Sequence, residues 1–211
     1  MSRIGAAPES EFILYGDFNN WFAAFAFWVF NYYAHKKIKI MNGRRKKWEL
    51  EKREYVKEKP IARASKYIAQ PCDERIRAYL RDIKKAFERL EETVLLYVRS
   101  AEEFSGEITA TLEYPMEHAQ RGLHIPGAKN IPRAQAVRES DGTLKSTDEL
   151  RGLYEKNGIS PDRNVICYCR IGERSPHSWF VLKNVLGYPW VRNYHGSWTE
   201  CGNMFGNPIT K

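Results

Sequence analysis

The sequence predicts an α/β protein: a parallel sheet flanked by helices, with one complete domain preceded by a partial copy of itself. Three observations predict it. First, two segments align without gaps. Ile13-Leu-Tyr-Gly-Asp, running on to Ile38, Gly43 and Trp48, falls on Ile166-Cys-Tyr-Cys-Arg, running on to Val191, Gly196 and Cys201. Tyr15 meets Tyr168, Phe27 meets Phe180 and Gly43 meets Gly196. Second, each copy reads as strand, turn, apolar helix, short strand and glycine turn, the alternation that builds a parallel sheet. Third, Val94-Leu-Leu-Tyr-Val is an apolar strand candidate placed to open the second copy.

Taken in chain order, Ile13 lies on the first strand and Trp21 to Tyr33 reads as the first helix. That stretch is about 13 residues long, short of the roughly 20 that a membrane span needs, and Asp17, Asn19 and Asn20 stop its extension. Ala34 to Lys59 holds eleven Lys and Arg against four Glu, so most of the net charge of +8 sits in one run. No nucleic-acid motif accompanies the run, and it reads as a solvated helix-and-loop face rather than a nucleic-acid surface. Glu49 to Glu92 separates the copies; its first half reads as linker. Ile76, Leu80, Ile83 and Phe87 recur at helical spacing and predict an amphipathic helix over Asp73 to Leu90, capped by Asp73. The predicted organisation is a truncated N-terminal copy with a basic tail over 1–59, a linker over 60–92 and a complete domain over 93–211. The counterpart of Val94 in the first copy would fall before residue 1. The first copy is therefore predicted to lack its front and to leave its own sheet incomplete. It would then expose apolar surface or need a partner, self-association included.

Composition narrows the class. With 43% hydrophobic and 13% aromatic content the 211 residues support a packed core, which excludes disorder. The opening residues carry no apolar signal-peptide core, so a soluble, cytoplasmic protein without membrane association is expected. Cys72, Cys167, Cys169 and Cys201 do not form a disulfide framework. The Cys-x-Cys spacing at 167–169 is too tight for a structural zinc site, and no metal is expected.

The chemistry concentrates in Asn164-Val-Ile-Cys-Tyr-Cys169-Arg-Ile-Gly-Glu-Arg174-Ser-Pro-His. An apolar strand ends at Tyr168 and Cys169 follows at once. Ser175 reads as a helix N-cap and Pro176 as the first helical residue. Trp179, Leu182, Val185 and Leu186 continue at helical spacing to Gly187, the left-handed exit, and Pro189. Arg170, Ile171, Gly172, Glu173 and Arg174 thus form a loop between a strand end and a helix start, where backbone amides can turn inward on an anion. That geometry favours a thiolate at Cys169. The helix terminus alone supplies about 0.3–1 kcal/mol, whereas a shift of about two pKa units takes roughly 2.7 kcal/mol. Loop amides, Arg170 and Arg174 must supply the remainder, and Glu173 is expected to point outward. Cys167 is expected to face the core, and Cys72 and Cys201 to be incidental. His124 and His177 read either as acid–base groups or as structural hydrogen-bonding residues.

The motifs from Val94 to Asn207 resemble the C-terminal, catalytic domain of rhodaneses, the thiosulfate sulfurtransferases. The matching pieces are Arg99-Ser-Ala-Glu-Glu-Phe, His124-Ile-Pro-Gly-Ala-Lys-Asn-Ile-Pro, Asp141-Gly-Thr-Leu-Lys-Ser, Cys169-Arg-Ile-Gly-Glu-Arg-Ser and Gly196-Ser-Trp-Thr-Glu200. Ile13 to Trp48 is similar to the back half of the inactive N-terminal rhodanese domain, with Gly16-Asp17 where the second copy has Cys169-Arg170. The resemblance implies a nucleophilic Cys169, an active-site loop from Arg170 to Ser175, and supporting roles for Arg99, His124, Trp198 and Glu200. It also implies a small anionic sulfur donor, a cyanide or thiol acceptor, a persulfide intermediate and no cofactor. Dual-specificity phosphatases use a loop one residue longer before the arginine, and position 175 is Ser, which disfavours phosphatase chemistry. Mercaptopyruvate sulfurtransferases carry a neutral loop, so two arginines favour thiosulfate; 3-mercaptopyruvate transfer and a degenerate, non-catalytic binding protein are the alternatives. Tyr97 stands where the family has Asp before Arg99, Leu123 replaces a glycine, His195 an acidic residue and Cys201 an aromatic one.

Overall fold

The structure, a computed structural model, describes residues 1–59, 61–110 and 119–210. Its centre is a five-stranded, wholly parallel sheet in the order β3-β7-β6-β4-β5, built from Arg77–Ala78, Val191–Tyr194, Asn164–Tyr168, Thr93–Tyr97 and Lys129–Asn130. β4 and β6 pair along their whole length, with Leu95 opposite Ile166 and Tyr97 opposite Tyr168. Both are nearly continuous apolar runs because helices cover both faces of the sheet. Successive side chains alternate between two cores. Val94, Leu96, Val165, Cys167 and Val191 face one core with Trp179, Leu182, Leu150 and Leu153. Leu95, Tyr97, Ile166, Tyr168 and Tyr194 face the other with Ile83, Ile125 and Trp198. Cys167 is fully buried, as its place on the strand predicts.

The N-terminal segment forms a second, two-stranded parallel sheet of β1 (Phe12–Leu14) and β2 (Ile38–Ile40), with α1 (Trp21–Tyr32) between them and α2 (Arg44–Leu50) after them. β6, α6 (Ser175–Phe180), β7 and α7 (Ser197–Asn203) follow the same strand–helix–strand–helix order. α1 packs on α6: Phe27 lies edge-on to Phe180 at 4.9 Å and tilted to Trp179 at 6.4 Å. Trp28 is buried and donates its Nε1–H to the Ile76 carbonyl at 3.3 Å. Phe27, Trp28 and Tyr32 therefore belong to the same core as β4 and β6. On the far side Ile13 is 61% and Tyr15 60% exposed. The inner face of α1 is covered by Trp179, Phe180 and the Ile76 carbonyl.

Asp73 to Leu90 does not form one helix. A 3-10 turn over Glu74–Ile76 is capped by Asp73, whose carboxylate accepts from the Arg75 amide. Arg77–Ala78 then becomes the edge strand β3 along β7, and α3 starts only at Leu80 and ends at Glu88. Pairing with β7 overrides helical spacing here, and the Asp82 carboxylate accepts from the Tyr79 amide at 2.8 Å to restart the helix. Ile76 and Ala78 bury in the two different cores. α4 (Ala101–Ser105) and α5 (Thr147–Glu155) begin with reciprocal Ser–Glu caps, Ser100 with Glu103 and Ser146 with Glu149. Among the described residues no helix is long and apolar enough to cross a membrane.

Candidate active site

β6 delivers Cys169 to the C-terminal edge of the sheet, the end at which open α/β sheets hold their ligands. The residue is fully buried, and its Sγ accepts the amides of Gly172 at 3.2 Å and Arg174 at 3.3 Å. The Ser175 hydroxyl lies 3.6 Å from Sγ but only 2.6 Å from Asn193 Oδ1, and it has a single proton to give. Asn193 in turn donates to the Gly172 carbonyl at 3.3 Å. Gly172 has φ +80°, and a Cβ there would stand 2.2 Å from the His195 carbonyl oxygen, so only glycine fits. The opposite side of the loop is tied to α7. The Cys169 amide donates to Ser197 Oγ at 3.1 Å, while the Cys169 and Arg170 carbonyls accept the amides of Trp198 and Thr199 at 3.1 and 2.8 Å.

Ser175 is not the cap of α6. It is the first helical residue, with Pro176 second and Arg174 in the cap position. The Ser175 hydroxyl, which as a cap would take an amide two or three residues further on, donates instead to Asn193 Oδ1 at 2.6 Å, while the His177 amide goes to the Arg174 carbonyl at 3.2 Å. Burial pushes the Cys169 thiol up, but the Arg174 guanidinium, then the Ser175 hydroxyl and the amides of 175 and 174, outweigh it and hold the thiol below its ordinary value. Cys167, fully buried on the same strand, is pushed up by its burial.

Arg174 is held by a buried ion network. Both its Nη atoms lie 3.3 Å from the Glu103 carboxylate. Glu103 is 1% exposed and also pairs with the Arg99 guanidinium, itself 2% exposed. Arg99 further donates to the Tyr97 hydroxyl at 2.6 Å and to the Thr109 carbonyl at 2.8 Å. Burial pushes the Glu103 carboxyl up, but Arg174 and Arg99 outweigh it and keep it ionised. The partner of Arg99, left open by Tyr97 in the sequence, is therefore Glu103 together with the Tyr97 hydroxyl.

The model of the rhodanese-like domain matches residues 80–203, more than half of the chain. The chain belongs to the rhodanese family. It is 51% identical over 213 residues to the sulfur carrier protein TtuD of Thermus thermophilus, matching all of this chain and 74% of that protein. It is 49% identical over 207 residues to a Haloferax volcanii protein and 47% over 209 residues to a Saccharopolyspora erythraea protein, both provisionally named thiosulfate sulfurtransferase. Those matches cover 98% and 99% of this chain and 71% and 73% of the relatives. Family and names together support a sulfurtransferase in general terms. Among solved structures, the Tum1 protein of Saccharomyces cerevisiae superposes with a TM-score of 0.83 at 18% identity, covering the whole chain and 72% of Tum1. An anaerobic ergothioneine biosynthesis enzyme from Chlorobium limicola gives 0.82 at 22% identity, covering the whole chain and 53% of that enzyme. These two likenesses show the fold.

Within this rhodanese site the remaining sequence-predicted residues divide. Arg170 is buried in the loop, Ile171 and Glu173 are half-buried, and the Glu173 charge acts on Arg133 rather than facing only solvent. Trp198 is buried and donates Nε1–H to the Arg121 carbonyl at 2.8 Å; its amide, not its ring, holds the loop. Glu200 is exposed, with its carboxylate folded over Gly196. His124 is not brought to the thiol: Nδ1 lies 2.8 Å from the Phe104 carbonyl and the ring stacks on Phe104. His177 is fully enclosed, its Nδ1 has no hydrogen-bond partner among the described residues, and burial, then the Arg133 charge, push it down to about 3. A neutral His177 is no acid–base group near neutral pH. Glu103, Asn193 and Ser197 went unmarked in the sequence. Glu103 had a signal, because it sits four residues after Arg99 and three after Ser100 in a capping pattern. Among the described residues, no group of three His, Cys, Asp or Glu side chains is placed to hold a metal.

Proposed function

We propose that this rhodanese is a thiosulfate sulfurtransferase that carries the transferred sulfur on Cys169. The observation that supports it best is the Cys169 sulfur itself, buried at a strand end and accepting two loop amides beside the Arg174 charge. Such a cradle holds a thiolate, and it suits equally the terminal sulfur of a persulfide. In the first half-reaction the Cys169 thiolate attacks the outer sulfur of thiosulfate. A new S–S bond forms, the old one breaks, and its electron pair leaves with sulfite. The charge of three is conserved between one thiolate plus a dianion and one persulfide plus sulfite. In the second half-reaction the acceptor attacks the outer persulfide sulfur and the Cys169 thiolate departs, giving thiocyanate from cyanide or a new persulfide from a thiol. Arg174 and the amides of the loop Arg170 to Ser175 stabilise the charge throughout, Gly172 by its backbone and Ser175 through Asn193. Arg99 acts through Glu103, and Trp198 through its amide. The name of the Thermus relative, a sulfur carrier protein, supports a sulfur-carrying role.

Intact mass of the purified protein, taken after thiosulfate and again after cyanide, tests the reading. A gain of one sulfur atom, reversed by cyanide and absent in Cys169→Ser, is expected. A folded protein that gains nothing from thiosulfate overturns it.

A further inference from the structure

Arg133 lies on the 3-10 turn Arg133–Ala136 that follows β5. Its amide donates to the Val98 carbonyl at 3.0 Å, which sets the residue just beyond the C-terminal end of β4, beside the end of β6 that carries Cys169. Its guanidinium lies 4.4 Å from the Trp21 ring centre, and the Arg174 guanidinium lies 5.9 Å from the same ring. Two cations thus share one indole on α1, a segment of the first copy. The Nε of Arg133 is buried and has no hydrogen-bond partner among the described residues. The charges of Arg174, Cys169, Glu103 and Glu173 all act on it, and burial, then the like charge of Arg174, push its pKa down to about 10. Glu103 serves Arg99 and Arg174 directly, and among the described residues no carboxylate forms an ion pair with Arg133 as Glu103 does with those two.

We propose that Arg133, seated on Trp21, is a donor-binding residue that takes the anionic end of the sulfur donor and sets the preference of the site for anionic over neutral reagents. The proposal rests on the sulfur-transfer reading and deepens it. A cation seated on a π-face holds a weak, displaceable contact, and an oxyanion offers its N–H groups a stronger one. Trp21 keeps the guanidinium oriented while the site is empty, so the first copy shapes the chemistry of the second.

Cys169 alkylation by iodoacetate and by iodoacetamide, reagents that differ by one carboxylate, reads the preference without thiosulfate. Arg133→Gln is expected to lower the iodoacetate-to-iodoacetamide rate ratio by on the order of tenfold. It is expected to raise KM for thiosulfate by roughly ten- to a hundredfold with kcat little changed, the range spanned by hydrogen bonds to charged groups. Arg133→Lys is expected to keep most of both. Trp21→Ala is expected to lower the ratio in the same direction, and Trp21→Phe to restore it, which keeps the test open if Arg133→Gln fails to fold. An unchanged ratio and an unchanged KM in folded Arg133→Gln, with persulfide formation intact, overturn the proposal. A wild type that takes no sulfur from thiosulfate, yet shows an Arg133-dependent ratio, overturns the sulfur-transfer reading and supports anion selection.

Discussion

Replacing Glu103 by Gln isolates the ion network behind the thiol. Glu103 has its carboxylate between two buried guanidiniums, with Arg174 at 3.3 Å through both Nη atoms and Arg99 closer still. It also accepts the Ser100 amide at 3.2 Å. Glutamine keeps the shape but loses the charge, and its amide presents donors to donors. Two cations then remain in a site that excludes water, and breaking a buried ion pair in this way costs about 3–5 kcal/mol. For a chain of 150–250 residues each kcal/mol moves the melting temperature by about 2–4 °C, so a fall of roughly 6–20 °C is expected. Thermal melting by circular dichroism measures it. Glu102→Gln is the control: its neighbour is exposed at the start of α4 and should change stability by less than about 1 kcal/mol. Equal melting of Glu103→Gln and wild type would refute the reasoning, because it would mean that Arg99 and Arg174 reach other compensation.

Three further outcomes are expected. Gly172→Ala adds a Cβ against the His195 carbonyl at a φ of +80°. It should destabilise by at least about 1–3 kcal/mol and, by moving the Gly172 amide off Sγ, raise the pH midpoint of Cys169 alkylation by iodoacetamide. His177 titrates near 3 when folded against about 6.5 unfolded, so the folded state binds fewer protons between those values. Its contribution to stability is therefore complete above pH ~6.5 and is lost as pH falls towards 3, by up to about 1.4 kcal/mol per pH unit. Urea midpoints at pH 7 and 5 should accordingly fall less in His177→Asn than in wild type. Trp28→Ala empties a buried site in the core that α1 shares with β4 and β6 and should cost about 3–5 kcal/mol in one cooperative urea transition; a separate early transition would show that α1 unfolds alone.

What the sequence makes legible is local punctuation. Apolar runs at Val94 and Val165 become the paired central strands, and Gly187 leaves the helical segment at φ +74°. The loop between β6 and α6 is readable because strand end, glycine, proline and arginines fall within a few residues. What is not legible depends on pairing over long distance. A two-residue edge strand at Arg77–Ala78 has no periodicity to detect, and it exists only because β7 lies beside it. Helical spacing from Ile76 to Phe87 therefore misled across β3. The same holds for Ser175, whose hydroxyl is drawn away from the cap position by Asn193, on a strand that no local pattern places beside it.

The placement of Trp21 carries the larger point. The motif Cys169-Arg-Ile-Gly-Glu-Arg174 contains the thiol and its amides, but the cations near it are positioned from elsewhere. Glu103 on α4 holds Arg174, and Trp21 on α1 underlies both Arg174 and Arg133. Phe25 and Trp28 of the same helix approach the His195 ring at 5.7 and 5.6 Å, and the His195 carbonyl is the atom that forces glycine at 172. The N-terminal helix α1 thus lies against residues that pack on the loop whose amides hold the sulfur. Substitutions on the inner face of α1 should consequently alter the reactivity of Cys169 as well as stability, whereas substitutions at exposed Ile13 or Tyr15 should alter neither.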